Sequence, residues 1–124
     1  MARRILIIDD EEDIRAVAAM SLETVAGWEV AMASSGAQGV ARAENFHPEA
    51  ILLDMMMPGM DGRATFAALK ENPRTAPIPV VLLTAKVQGS ERQQLAALGV
   101  NGVLTKPFDP LTLAAEIAAI LGWS

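Results

Sequence analysis

The apolar residues of this chain fall into five short runs, each followed by a stretch of helical spacing, and four of the runs end on a charged or hydroxyl side chain. Arg4-Ile5-Leu6-Ile7-Ile8 leads into Asp9-Asp10, Ala50-Ile51-Leu52-Leu53 into Asp54, Pro79-Val80-Val81-Leu82-Leu83 into Thr84, and Asn101-Gly102-Val103-Leu104-Thr105 into Lys106. Short, nearly continuous apolar runs of this kind predict strands buried on both faces. The remaining strand is residues 28–33. Helices are expected from the acidic run at 9–13 to Gly27, over Gly36–Phe46, over Gly62–Glu71, from Ser90 to Gly99 and from Asp109 to Leu121. Asp61 is the N-cap of the third, Ser90-Glu91-Arg92-Gln93 has the form of a capping box, and Asp109-Pro110 supplies a cap and a proline for the first helical position of the last.

Five strands alternating with five helices predict an α/β fold, a parallel sheet joined by right-handed crossovers and covered on both faces. Parallel strands share a direction, so Asp9, Asp10, Asp54, Thr84 and Lys106 arrive at one edge of the sheet. Open α/β sheets bind their ligands in the crevice beyond that edge. Taken alone, Asp54 could merely order the Pro58-Gly59 loop by accepting backbone N–H bonds. Its convergence with the other four side chains favours a functional role.

The chain has 124 residues and no cysteine, so one domain over residues 1–124 is expected, with neither disulfides nor thiol chemistry. The Arg3-Arg4 pair precedes an apolar run too short for an export signal or a spanning helix, which points to a soluble, cytoplasmic protein. Ten Lys and Arg against fifteen Asp and Glu give a net charge of -5. Phosphate neutralisation needs concentrated positive charge, so direct nucleic-acid binding is not expected and the partner is protein.

Two ionised carboxylates about 5 Å apart repel by ~3 kcal/mol at an effective dielectric of 20. Asp9, Asp10 and Asp54 therefore require a compensating cation, and an all-oxygen donor set without His or Cys favours a hard ion such as Mg²⁺. Lys106 adds a fixed positive charge, so together the two can admit a phosphoryl group. There is no Ser-His or Cys-His pair to act as a nucleophile. The inventory points instead to Asp54 attacking phosphorus in line to form an acyl phosphate, with Thr84 and Lys106 holding phosphoryl oxygens.

Those residues resemble the receiver (CheY-like) domain of two-component response regulators over the whole chain: the pair Asp9-Asp10, Asp54 with Met57-Pro58-Gly59-Met60-Asp61-Gly62, Thr84-Ala85, and Lys106-Pro107-Phe108. The resemblance implies a flavodoxin-like sheet of order 2-1-3-4-5. It also implies that Mg²⁺ is held by Asp10, Asp54 and the backbone carbonyl of Met56 with Asp9 close by, and that the Lys106-Pro107 bond is cis. The implied activity is phosphorelay signal transduction: Asp54 takes its phosphoryl group from a histidine kinase or phosphotransfer protein, and the chain then switches a downstream protein target. On this reading it is no enzyme beyond catalysing its own phosphorylation and dephosphorylation.

Three positions depart from, or vary within, the family pattern. Val103 stands where many members carry a Tyr or Phe that swings inward, so switching through an aromatic rotamer is not expected. Met56 and Lys86, each two residues beyond a site residue, flank the route of a hydrolytic water and tune dephosphorylation in the family. Apolar Met56 cannot orient that water, which predicts a longer-lived acyl phosphate. The final helix is apolar enough to suggest a homodimer or target-binding face, although its many alanines could equally make a bland surface.

Other features are set aside. His47 reads as an exposed loop residue, the Met55-Met56-Met57 run as packing rather than a soft-metal site, Trp28 and Trp123 as packing at element ends, and Glu11, Glu12 and Asp13 as a solvated helix start. A flavodoxin-like electron carrier would not place Asp9 to Asp13 against a flavin phosphate. A haloacid-dehalogenase-type phosphatase needs Asp-x-Asp, and here the first two acids are adjacent. An unphosphorylated receiver-like binding module would have no use for all the chemical positions. The chain stops soon after its last helix, consistent with either a stand-alone regulator or a domain of a longer protein.

Overall fold

A computed structural model describes residues 3–85 and 89–123, with the Arg92 side chain left aside. The order is β1 (Arg4–Ile8), α1 (Glu12–Ala26), β2 (Glu29–Ala33), α2 (Gly36–Phe46), β3 (Ala50–Asp54), α3 (Gly62–Glu71), β4 (Val80–Ala85), α4 (Gly89–Ala96), β5 (Gly102–Lys106) and α5 (Leu113–Leu121). The strands form one sheet of order β2-β1-β3-β4-β5 with every pair parallel. This is the topology that the resemblance implies.

Side chains alternate across the sheet, and each face has its own core. Leu6, Ile8, Ile51, Leu53, Val80 and Leu82 meet Ala43 of α2, Phe66 and Leu69 of α3 and Leu95 of α4. On the opposite face Ile5, Ile7, Leu52, Val81 and Leu83 meet Ala18 and Leu22 of α1 and Leu113 and Ile117 of α5. Trp28 and Trp123 close the amino end of the sheet with ring centroids 5.3 Å apart, edge to face.

Helix ends show where local signals hold. Asp61 Oδ1 accepts from Ala64 N at 2.9 Å, the expected cap of α3, and Gly27 closes α1 in the left-handed conformation at φ 71°. The final helix differs from expectation. Asp109 O accepts from both Thr112 N and Leu113 N, so residues 109–112 make a separate turn and Thr112, not Asp109, precedes the helix. Pro110 therefore lies outside it. Likewise α4 already includes Gly89, which places Ser90 inside the helix instead of at its cap. The outer residues of α5 are Ala115, Glu116 and Ala119. Its surplus of apolar residues is thus largely alanine.

The loop after β3 is pinned by close approach. A Cβ on Gly62 would lie 2.7 Å from Asp54 O and from Met55 Cα, both backbone atoms that cannot give way cheaply. Gly62→Ala should therefore lower stability by roughly 1–3 kcal/mol in urea unfolding. Gly89→Ala, whose Cβ would meet nothing within 4 Å among the described residues, should be neutral or stabilising by up to ~1 kcal/mol.

Candidate functional site

The sheet register assembles the site. Ile8 pairs with Leu53, Asp54 with Leu83, and Leu83 with Leu104, so Asp9, Asp54 and Lys106 all follow the alternation of the face covered by α1 and α5. Lys106 is two residues beyond Leu104, and its long stem reaches back across β4. The Lys106 Nζ lies 3.1 Å from Asp54 Oδ1, 3.2 Å from Asp9 Oδ2 and 3.0 Å from Glu11 Oε1.

Asp9 and Asp54 are both 1% exposed. Asp54 Oδ1 also accepts from Met56 N at 3.3 Å, and Asp9 Oδ1 from Glu11 N at 2.8 Å. Arg15 Nη1 donates to Asp9 O at 2.8 Å, steadying the turn into α1. Their second oxygens, Asp9 Oδ2 and Asp54 Oδ2, are buried without a hydrogen-bond partner among the described residues. For Asp9 Oδ2 the ammonium is near enough for ion pairing but not aligned for a hydrogen bond.

Charge is the dominant property here. One ammonium faces three carboxylates, and exposed Asp10 adds a fourth: oxygens of Asp9, Asp10, Glu11 and Asp54 all lie within 4.8 Å of one another. At that separation each ionised pair repels by ~3 kcal/mol at an effective dielectric of 20. Burial, then the neighbouring Asp9, raise the Asp54 carboxyl from 3.8 to about 6, against the lowering effect of Lys106 and Met56 N. Burial alone would depress the Lys106 ammonium, but Glu11, Asp54 and Asp9 outweigh it and hold its pKa above the usual value. Two buried carboxylate oxygens without hydrogen-bond donors, amid excess negative charge, suit a hard divalent cation, and the all-oxygen donor set fits Mg²⁺.

The expected residues separate into two groups. Asp9, Asp10, Asp54 and Lys106 come together, with the Met56 amide against Asp54. Thr84 follows the alternation of Val80 and Leu82 towards the other face and opens, 4% exposed, on a cavity of about 480 Å³ shared with Met55, Met56, Ala85 and Leu95. Val103 pairs with Leu82 and packs against the core on that same face. Lys86 lies outside the described residues. Glu11 corrects the sequence reading: it precedes α1 but makes no side-chain cap, and turns to Lys106. His47 is exposed, as expected, at the left-handed end of α2.

A family model for the response regulator receiver domain matches residues 5–118. The DNA-binding dual master transcriptional regulator RpaA of Synechocystis is 41% identical over 118 residues, covering 95% of this chain and 48% of that protein. Among solved structures, the chemotaxis protein CheY4 of Vibrio cholerae superposes with a TM-score of 0.88 at 29% identity, covering 97% of this chain and 99% of the other. The receiver domain of sensor histidine kinase PA1611 from Pseudomonas aeruginosa, with a magnesium ion coordinated in its active site cleft, superposes with a TM-score of 0.85 at 26% identity, covering 98% and 99%. The chain belongs to the response regulator receiver domain family, the signalling modules of two-component systems. It spans about half the length of such curated relatives as RpaA.

The Asp54 shift has a sign that can be tested. Its folded pKa of about 6 exceeds the ordinary carboxylate value of 3.8, so the folded state binds the extra proton and stability falls as pH rises through that window. In chelator, Asp54→Asn should gain stability relative to the parent by on the order of 2–3 kcal/mol between pH 4 and pH 8, read by urea unfolding. A pH-independent difference would contradict the assignment.

Proposed function

We propose that residues 1–124 form one cytoplasmic receiver domain that accepts a phosphoryl group on Asp54 from a histidine kinase or phosphotransfer protein. The observation that carries this is the buried Asp54 carboxylate, held on one oxygen by Lys106 at 3.1 Å and left unpartnered on the other, at the open edge of the sheet. The ionised carboxylate attacks phosphorus in line, an O–P bond forms, and the bond to the donor breaks opposite it. Lys106 is already placed to follow the charge moving onto the phosphoryl oxygens.

Asp9, Asp10, Asp54 and the Met56 carbonyl would hold Mg²⁺, which would supply positive charge to offset the carboxylates and an incoming phosphoryl group. Glu11 competes for Lys106. As a phosphoryl group arrives, the ammonium can leave that exposed partner without breaking a buried pair.

Thr84 lines the cavity beside Met56, so its hydroxyl reaches a phosphoryl oxygen on Asp54 only by moving towards the edge. That movement, together with the added negative charge, changes the surface between β4 and α4 that a downstream protein reads. Val103 offers no ring to swing, so Thr84, near the end of β4, carries the switch. The outer face of α5 is the proposed contact for a second copy or a downstream partner.

With acetyl phosphate and Mg²⁺ the chain should gain one hydroxylamine-labile phosphoryl group on Asp54, none in Asp54→Asn, and should take it up at least tenfold more slowly in Lys106→Ala. Turnover of many equivalents would indicate a phosphatase, and no label a pure binding module. Met56→Asn should lose the phosphoryl group several-fold faster than the parent.

A further inference from the structure

The loop after Asp54 contains three consecutive methionines with opposite surroundings. Met55 and Met57 are 8% and 7% exposed and belong to the core, whereas Met56 is 73% exposed. The Met56 amide rests on Asp54 Oδ1 at 3.3 Å, and Met56 is among the residues lining the cavity onto which Thr84 opens. An exposed thioether is open to peroxides, while its buried neighbours are shielded. The core can therefore survive a reaction that alters the rim of the site.

We propose that Met56 is an oxidation site through which peroxide shortens the lifetime of the phosphorylated state; the effect on lifetime rests on the proposed phosphorylation of Asp54. A sulfur lone pair attacks one peroxide oxygen, the S–O bond forms as the O–O bond breaks, and the departing hydroxide takes the remaining proton to leave as water. Sulfur is oxidised and peroxide reduced. The product carries a strongly hydrogen-bond-accepting oxygen where the thioether accepts only weakly. Beside Asp54 that oxygen can accept a proton of a water whose lone pair faces phosphorus, a task the thioether performs poorly. Sulfoxide reduction by a thiol-dependent reductase restores the starting side chain.

Met20 supplies an internal control. It is 66% exposed on α1, eight residues beyond Glu12 and so ~12 Å along the helix from its start. The test treats the full chain with hydrogen peroxide, maps the added oxygen by peptide mass spectrometry, and then follows loss of phosphoryl label from Asp54 in the presence of Mg²⁺. Oxygen should appear on Met56 and Met20, with Met55 and Met57 spared, and the label should decay at least threefold faster. Met56→Leu should abolish the response to peroxide, Met20→Leu should retain it, and Met56→Gln should decay fast without peroxide.

Failure to oxidise Met56 under conditions that oxidise Met20 would overturn the inference. So would an unchanged decay rate with Met56 oxidised, or a peroxide response that persists in Met56→Leu. A chain that takes no label before peroxide is added overturns the function of the site itself. That failure is seen independently of the oxygen map.

Discussion

One ammonium among four carboxylates sets the terms for this molecule. Lys106 touches Asp9, Glu11 and Asp54, and each close carboxylate pair opposes assembly by ~3 kcal/mol at an effective dielectric of 20. A fully buried aliphatic side chain contributes ~1.5–3 kcal/mol. Ile5, Ile7, Leu52 and Leu83, all within 1% of complete burial behind the site, together contribute ~6–12 kcal/mol, enough to offset about two to four such repulsions. A sheet covered on only one side would be a weaker counterweight. The double-sided core and the charged edge belong together.

The same alternation that builds the core divides the chemistry between the faces. Asp9, Asp54 and Lys106 follow the side covered by α1 and α5, and Thr84 the side covered by α2, α3 and α4. Of the described side chains in α4, only that of Leu95 is buried, so this helix is lightly seated over the cavity that Thr84 and Met56 border. Met56 and Thr84, on that side, thus border an element held by little packing. Rigid anchoring and easy displacement occur on opposite sides of one strand end.

Much of this was legible in the sequence because buried parallel strands write themselves as unbroken apolar runs, and their shared direction brings Asp9, Asp10, Asp54 and Lys106 to one edge. Helix starts were less legible. Asp109-Pro110 has the chemistry of a cap, but the backbone spends it on a turn before Thr112. Ser90 fits a capping box equally well one residue inside α4. Glu11 was hidden for a different reason: five acids in a row carry no apolar period to say which one turns inward, and only the reach of Lys106 decides. The placement of Thr84 was available by counting alternate residues from Val80 and Leu82, whereas the cavity beneath it depends on how α4 sits.

A carboxyl carbon-13 titration of Asp54, with and without Mg²⁺, reads the charge balance at the atom where chemistry is proposed. The midpoint should lie near 6 in chelator and fall to or below the ordinary carboxylate range when Mg²⁺ saturates the site. A midpoint already in the ordinary range without the ion, or one that Mg²⁺ leaves unmoved, would contradict that charge balance.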